Sequence, residues 1–97
     1  MVENSSISQP LQYLAIGVGT MDLKEAFAKV LRDLRSEKGV SQERLALDCG
    51  LDRTYISKLE RKIHSPSLEA IFKIALILQV EPSEIVHRVE ERIKDNQ

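Results

Sequence analysis

From residue 23 onward, apolar residues recur at helical spacing. They fall at i, i+3, i+4, i+7, i+8 and i+11 and are Leu23, Ala26, Phe27, Val30, Leu31 and Leu34. This spacing places them along one side of an α-helix. Asp22 is a suitable N-cap, and Gly39 can adopt the left-handed conformation that ends many helices. The pattern therefore predicts a first helix from Leu23 to Lys38.

Two short helices joined by a tight turn are predicted next. Ser41 is the expected N-cap of the second helix, and Asp52 is that of the third, which runs from about Arg53 to Arg61. Only four residues, Cys49-Gly50-Leu51-Asp52, lie between the two helices. A connection of this length that contains glycine is typical of a turn between two steeply crossed helices.

Two further helices complete the pattern. Ser67 caps the fourth, and its predicted inward residues are Leu68, Ile71, Phe72, Ala75 and Leu78. Glu81-Pro82 begins the fifth, because proline suits the first helical position. The apolar stripe of the fifth helix consists of Ile85, Val86, Val89 and Ile93. The stripe is wide for a terminal helix, so contact with a second chain is favoured over completion of the monomer core.

The fold class predicted is all-α, with one five-helix domain over residues 22–95. Residues 1–21 form an N-terminal arm of uncertain order, because they show no sustained helical or strand periodicity. Aromatic residues make up only 4% of the chain, so the core must be aliphatic. A single cysteine excludes an intrachain disulfide framework. No run approaches the roughly 18–20 apolar residues of a membrane span, and the start lacks a basic signal region, so we expect a cytoplasmic protein.

The predicted third helix carries polar side chains along one strip. They stand at i, i+1, i+4 and i+5 and are Arg53, Thr54, Ser57 and Lys58. Arginine and lysine can donate to guanine O6 and N7, while threonine and serine offer a small hydroxyl. A short helix, a glycine turn and a helix of this kind form the layout by which a helix enters the DNA major groove. The strip is therefore a candidate surface for double-stranded DNA.

The net charge of −1, taken alone, argues against a nucleic-acid partner, because DNA-binding domains are usually basic. The charges are unevenly placed, however. Residues 31–64 contain eight basic and six acidic residues, a net of +2, whereas residues 81–97 contain three basic and five acidic residues, a net of −2. The acidic excess thus lies in the fifth helix, away from the proposed DNA surface.

Three runs of the sequence resemble a known family. They are Ser41-Gln42-Glu43-Arg44-Leu45-Ala46, the stretch from Gly50 to Arg61, and Pro66-Ser67-Leu68 with the apolar positions that follow. Together they resemble the phage repressor and Cro-type (XRE) helix-turn-helix regulators, whose fold is lambda-repressor-like. The resemblance covers roughly Leu23 to Ile93, and it is strongest to the controller proteins of restriction–modification systems.

This resemblance implies roles for individual residues. Gln42 matches a glutamine that bonds the DNA backbone, and Arg35 and Glu60 match a structural ion pair between the first and third helices. The polar strip of the third helix matches the base-reading positions of the family. The resemblance also implies contacts with the DNA backbone by Tyr55, Arg61 and Lys62. The fifth helix matches an element that builds a homodimer, here through Ile85, Val86, Val89 and Ile93. Paired recognition helices then lie about one DNA turn, roughly 34 Å, apart.

The favoured interpretation is a dimeric transcription regulator that binds a palindromic operator, with restriction–modification genes as a candidate target. The alternative is an antitoxin or adaptor that acts mainly through a protein partner. No phosphate loop or nucleophile–base arrangement is present, so an enzyme and a cofactor are not expected. Glu84 and His87 form one Glu-x-x-His pair, but a metal site of that type needs a second copy, so no metal is expected.

Overall fold

The computed structural model describes residues 21–96, which form five α-helices and no strand within that range. The helices are α1 (Leu23–Lys38), α2 (Gln42–Cys49), α3 (Arg53–Glu60), α4 (Leu68–Leu78) and α5 (Pro82–Asp95). The predicted all-α class is confirmed. Of the predicted N-terminal arm, residues 1–20 lie outside the described residues.

The helix ends follow the local chemistry of the chain. The side chains of Asp22, Ser41 and Ser67 each accept a hydrogen bond from the backbone N–H three residues later, at 2.8, 3.0 and 3.0 Å. Asp52 stands at the N-cap of α3, but its side chain makes no capping hydrogen bond. Gly50, with φ of 70°, turns the chain between α2 and α3. Because only glycine adopts this conformation without strain, it sets the crossing of the two helices.

The core is aliphatic and is organised around α1, which packs against α3 and α5. Its largest fully buried side chains are Val30, Leu31, Leu34, Leu45, Ile56, Leu59, Ile74, Leu78 and Ile85. The predicted stripe of α1 is buried except at its first residue, Leu23. No helix among residues 21–96 is long and apolar enough to cross a membrane.

The structure corrects the predicted use of α5. Ile85, Val89 and Ile93 are buried within the single chain, and only Val86 is exposed, at 51%. The first three side chains cover the core, so they cannot also form the surface of a dimer. Ile85, Val89 and Ile93 complete the core of the monomer. This was the less favoured of the two interpretations of the α5 stripe.

Ion pairs add to the contact between α5 and α1. The Arg88 guanidinium donates to the Glu37 carboxylate at 3.0 Å and to Glu84 on its own helix at 2.8 Å. The guanidinium of Arg92 also donates to the carboxylate of Asp33. Two arginines of α5 thus face acidic residues of α1.

The structure also corrects the inward face predicted for α4. Leu68 and Phe72 are exposed, whereas Ala70 and Ile74 are buried. Nine of the eleven residues of α4 are apolar, so apolar side chains lie on every side of the helix. Periodicity therefore could not identify which side packs against the core.

Candidate nucleic-acid interface

The polar strip of α3 lies on the solvent side of the helix. Arg53 and Thr54 are exposed, and Ser57 and Lys58 are half-buried. The opposite side of α3 carries Ile56, Leu59 and Glu60, all of them buried. The core therefore anchors one side of α3, and the four predicted base-reading residues share the other.

Arg53 is the first residue of α3, and its side chain is 63% exposed. One terminal nitrogen of its guanidinium lies 3.9 Å from a carboxylate oxygen of Glu43, in the first turn of α2. A long ion pair between exposed side chains contributes little to stability. The guanidinium can therefore turn toward a ligand at small cost, and its planar fork suits the two acceptors of a guanine edge.

Two of the predicted DNA contacts, Ser57 on α3 and Arg61 directly after it, are linked to each other. The Arg61 Nε donates to Ser57 Oγ at 3.1 Å, across one helical turn. The Ser57 hydroxyl can still donate a hydrogen bond of its own. Lys62 follows with a positive φ of 66°, and its Nζ lies 3.7 Å from a carboxylate oxygen of Glu25 on α1. The basic residues at the end of α3 thus pair within the chain through exposed contacts.

Tyr55 joins α3 to the start of α4. Its hydroxyl oxygen accepts a hydrogen bond from the Ser67 backbone N–H at 3.2 Å, and its ring is half-buried against the core. The hydroxyl proton remains available to donate, so the predicted contact with a phosphate is chemically possible. The same contact holds the beginning of α4 beside α3.

A charged cluster fixes the buried side of α3. Glu60 is 3% exposed and accepts two hydrogen bonds from Arg35, from Nε at 2.5 Å and from a terminal nitrogen at 2.7 Å. Arg35 also donates to the Val40 carbonyl at 2.9 Å. Arg35 and Glu60, predicted as an ion pair between α1 and α3, are thus brought together in a bidentate geometry, which is the stronger form of such a pair.

Gln42 belongs to the same cluster. Its side-chain nitrogen donates to a carboxylate oxygen of Glu60 at 2.9 Å. An amide nitrogen carries two hydrogens, so one remains for a phosphate oxygen, which is the contact predicted for this residue. Gln42 therefore links the start of α2 to the end of α3.

Sequence reasoning missed Arg32. A terminal nitrogen of this residue donates to the backbone carbonyl of Glu60 at 2.7 Å, which satisfies an oxygen at the end of α3. Arg32 stands three residues before Arg35, so both lie on the same side of α1. That spacing was the available signal in the sequence. The apolar stripe of α1 did not indicate which group Arg32 would contact.

The cluster sets the ionisation of its members. Burial raises the pKa of Glu60, but hydrogen bonds from Arg35 and Gln42 and the charges of Arg35 and Arg32 outweigh it. The pKa of Glu60 lies below its ordinary value of 4.5 as a result. The hydrogen bond to Glu60 raises the pKa of Arg35 against the opposing effect of burial. Both side chains are therefore charged at neutral pH.

This ionisation predicts an acid-sensitive contribution to stability. A carboxyl whose pKa is lower in the folded state stabilises the fold above its unfolded pKa, near 4.5, and loses that contribution as the pH falls through its folded pKa. Wild type and Glu60→Gln are compared by urea unfolding from pH 7 to pH 2.5. We expect the difference between their unfolding free energies to be constant above about pH 5.5 and to shrink below pH 4.5. A constant difference down to pH 2.5 would contradict the lowered pKa.

Comparison with known proteins decides the family. The sequence profile of the helix-turn-helix family matches residues 31–85, from the middle of α1 to the start of α5. The chain belongs to the helix-turn-helix family. The match contains every predicted base-reading residue and the whole Glu60 cluster. The expected resemblance is thereby confirmed.

Individual members of the helix-turn-helix family are similar over most of the chain. A hypothetical transcription factor from Neisseria meningitidis is 44% identical over 73 residues, which are 75% of this chain and 69% of that protein. Control protein C.BamHI from Bacillus amyloliquefaciens is 40% identical over 68 residues, 69% of this chain and 84% of the relative. The restriction–modification controller C.Esp1396I, solved as a tetramer with its natural 35 base-pair operator, has a TM-score of 0.66 at 32% identity. That match covers 73% of this chain and 93% of the controller.

Histidine, cysteine and carboxylate side chains could also form a metal site in this helix-turn-helix chain. Residues 21–96 contain no group of three or more histidine, cysteine, aspartate or glutamate side chains that could hold a metal ion. His87 of the predicted Glu-x-x-His pair lies instead 3.9 Å from Glu90 and from Glu91.

Proposed function

We propose that this protein is a transcription regulator that binds a palindromic DNA operator as a homodimer. The observation that carries the proposal is the arrangement of α3, which exposes its polar strip on one side and is fixed by Glu60 on the other. A recognition helix must be held rigidly, because base readout depends on short, directed hydrogen bonds. The Glu60 cluster and the contact between Tyr55 and Ser67 supply that rigidity.

The roles within the surface follow from side-chain chemistry. Arg53, Thr54, Ser57 and Lys58 read base edges in the major groove. Gln42, Tyr55, Arg61 and Lys62 bind phosphates and set the register of the helix on the duplex. The protein acts through binding and has no catalytic role. It works in the cytoplasm of a prokaryotic cell, where operator DNA is accessible.

The genes of a restriction–modification system are the proposed target. Support comes from the similarity to C.BamHI and to C.Esp1396I, a controller solved on operator DNA. An antitoxin or adaptor has less support, because the compared relatives are named as a transcription factor and as controllers. A restriction endonuclease and a methyltransferase gene beside this one would support the target, whereas an adjacent small toxin gene would favour the alternative.

The binding experiment compares two duplexes of equal length. One carries a site obtained by selection from a random pool, and the other carries the same bases in scrambled order. We expect affinity for the selected duplex to be at least about 1,000-fold higher at physiological salt. Its logarithm should fall linearly with the logarithm of salt concentration, because bound phosphates release counterions. Equal affinities for the two duplexes would contradict the proposal.

Arg61→Ala is expected to act on every sequence alike. Removal of one phosphate contact should weaken binding to the selected and scrambled duplexes by the same factor and reduce the salt slope by about 1. Fluorescence anisotropy at four salt concentrations measures both quantities. Lys94→Ala is the control, because this basic residue lies near the end of α5 and should leave the salt slope unchanged. A change in the ratio of the two affinities for Arg61→Ala would contradict a role limited to the phosphates and would mean that Arg61 reads bases itself or positions the Ser57 hydroxyl that does.

A further inference from the structure

An apolar groove lies between the start of α1 and the first turns of α5. Its exposed lining side chains are Leu23, at 47%, and Val86, at 51%, and its buried ones include Phe27 and Val89. Leu23 and Val86 belong to the apolar stripes of their helices, yet residues 21–96 leave both of them uncovered. Two such residues in one groove indicate a surface that apolar side chains cover. The groove is called the α1–α5 groove below.

The α1–α5 groove is small and uncharged. Its volume is about 210 Å³. Pockets that hold drug-sized molecules are larger, at roughly 300–1,000 Å³, and contain several precisely placed polar groups. Among the described residues that line the groove none is charged, and Ser65 is the one with a polar side chain. This size and lining suit a few aliphatic side chains of a polypeptide better than a polar small molecule.

The sequence before α1 contains side chains of that kind. Leu14, Ile16 and Val18 alternate with the small residues Ala15 and Gly17. In an extended conformation the three large side chains would lie on one side of the chain, although five residues are too few to predict a strand. Residues 4–21 contain no charged residue. The segment of residues 14–18, called the arm segment below, therefore matches the α1–α5 groove in polarity and in charge.

The described part of the chain begins beside the α1–α5 groove. Met21 is half-buried and packs against the core, and Leu23, two residues later, lines the groove. The six residues from Ile16 to Asp22 can span up to about 20 Å, which exceeds the roughly 10–12 Å diameter of a helix. Ile16 can therefore reach the groove after a turn, for which Gly19 is suited. The link to α1 also holds the arm segment near the groove at a millimolar effective concentration.

We propose that the arm segment docks in the α1–α5 groove of its own chain, with the Ile16 side chain between Leu23 and Val86. The docked segment covers the exposed ends of both apolar stripes. Pro66 of the loop between α3 and α4 also lines the groove, so the arm segment supports that loop as well. The proposal goes beyond DNA binding and does not depend on it, because the described residues that line the groove include none of the predicted DNA contacts.

The first test measures thermal unfolding of the full 97-residue chain. Ile16→Asp should lower the Tm by at least about 4 °C, because a carboxylate is unfavourable in an apolar groove and the arm segment is released. Ile7→Asp is the matched control, since it places the same charge in the N-terminal arm but outside the arm segment. It should leave the Tm unchanged. An equal decrease in both variants, or no decrease in either, would overturn the proposal and leave the groove to a separate molecule.

A double-mutant cycle tests where the arm segment docks. Val86→Asp places a charge in the α1–α5 groove, so in that background Ile16→Asp should lower the Tm by less than about half of its effect in wild type. Leu47→Asp is the control background, because Leu47 is an apolar residue of α2 that is 70% exposed and lies outside the groove. Ile16→Asp should keep its full effect there. A full effect in both backgrounds would place the arm segment on another surface and overturn the proposal.

Disulfide trapping tests whether the arm segment docks in its own chain or in a second copy. Ile16→Cys is combined with Val86→Cys, and Cys49→Ala removes the natural thiol. With oxidised glutathione and about 1 μM protein, intrachain disulfides should exceed interchain ones by at least about 10-fold. The control replaces Ile16→Cys by Ile7→Cys and should form the intrachain disulfide at least about 10-fold more slowly. Mainly interchain disulfides, which would mean that two copies exchange arms, or equal rates for the two pairs would overturn the proposal.

Discussion

Replacement of Glu60 by alanine is expected to destabilise the fold by about 3 kcal/mol. Removal of one partner from a buried ion pair costs roughly 3–5 kcal/mol, because the remaining charge loses its compensation. Here the remaining charge is Arg35, whose side chain is 17% exposed, so water offsets part of the loss and the lower end of that range applies. The variant also leaves Gln42 and Arg32 without their contacts to the carboxylate.

Thermal and urea unfolding followed by circular dichroism measure this effect. For a domain of this size, about 3 kcal/mol corresponds to a decrease in Tm of at least about 12 °C. Asp48→Asn is the control, because it removes the carboxylate of an exposed ion pair with Arg44 on α2. That pair is worth less than about 0.5 kcal/mol. A loss below 1 kcal/mol for Glu60→Ala would mean that the cluster does not hold α3 in place.

Arg53→Ala is expected to reduce discrimination between DNA sequences by about 1–3 kcal/mol. A bidentate contact between arginine and a guanine edge supplies discrimination of that size. The loss should appear at one base pair in each half-site, since a single side chain reads one base edge there. Stability should change little, because the Arg53 side chain is exposed and its ion pair with Glu43 is long.

Arg44→Ala is the matched control for Arg53→Ala. The Arg44 side chain is 64% exposed, as that of Arg53 is 63%, but it lies on α2 and pairs with Asp48. Competition binding with duplexes that differ at one position distinguishes the two variants. Arg44→Ala should keep the wild-type ratio of affinities. If Arg53→Ala kept that ratio too, the assignment of base reading to Arg53 would be wrong.

Most of the fold was predictable because its signals are local. Side-chain caps and the glycines that end α1 and α2 determine where those helices begin and end, and both kinds of residue can be recognised in the sequence. The distribution of apolar surface was not predictable in the same way. α4 has apolar residues on every side. The apolar stripe of α5 is largely buried, because Ile85, Val89 and Ile93 pack against the core of the same chain. Only the packing of the chain shows that α5 is covered and that α4 is not.

The candidate site was predictable to a similar degree. The strip on α3 follows from helical spacing alone, since residues at i and i+4 share a side of the helix. The pair of Arg35 with Glu60 required the resemblance to a known family, because the two residues are 25 positions apart. Gln42 and Arg32 meet Glu60 through contacts between helices. The spacing of Arg32 from Arg35 places both on one side of α1, but it does not identify Glu60 as the residue they contact.

Selection of bound duplexes from a random pool, with wild type and Arg53→Ala in parallel, tests the central claim most directly. We predict that wild type enriches a two-fold symmetric site whose half-sites are centred about one DNA turn, roughly 34 Å, apart. Arg53→Ala should enrich the same site with one base pair relaxed in each half. The absence of any enriched sequence with wild type would contradict the proposal that α3 reads DNA.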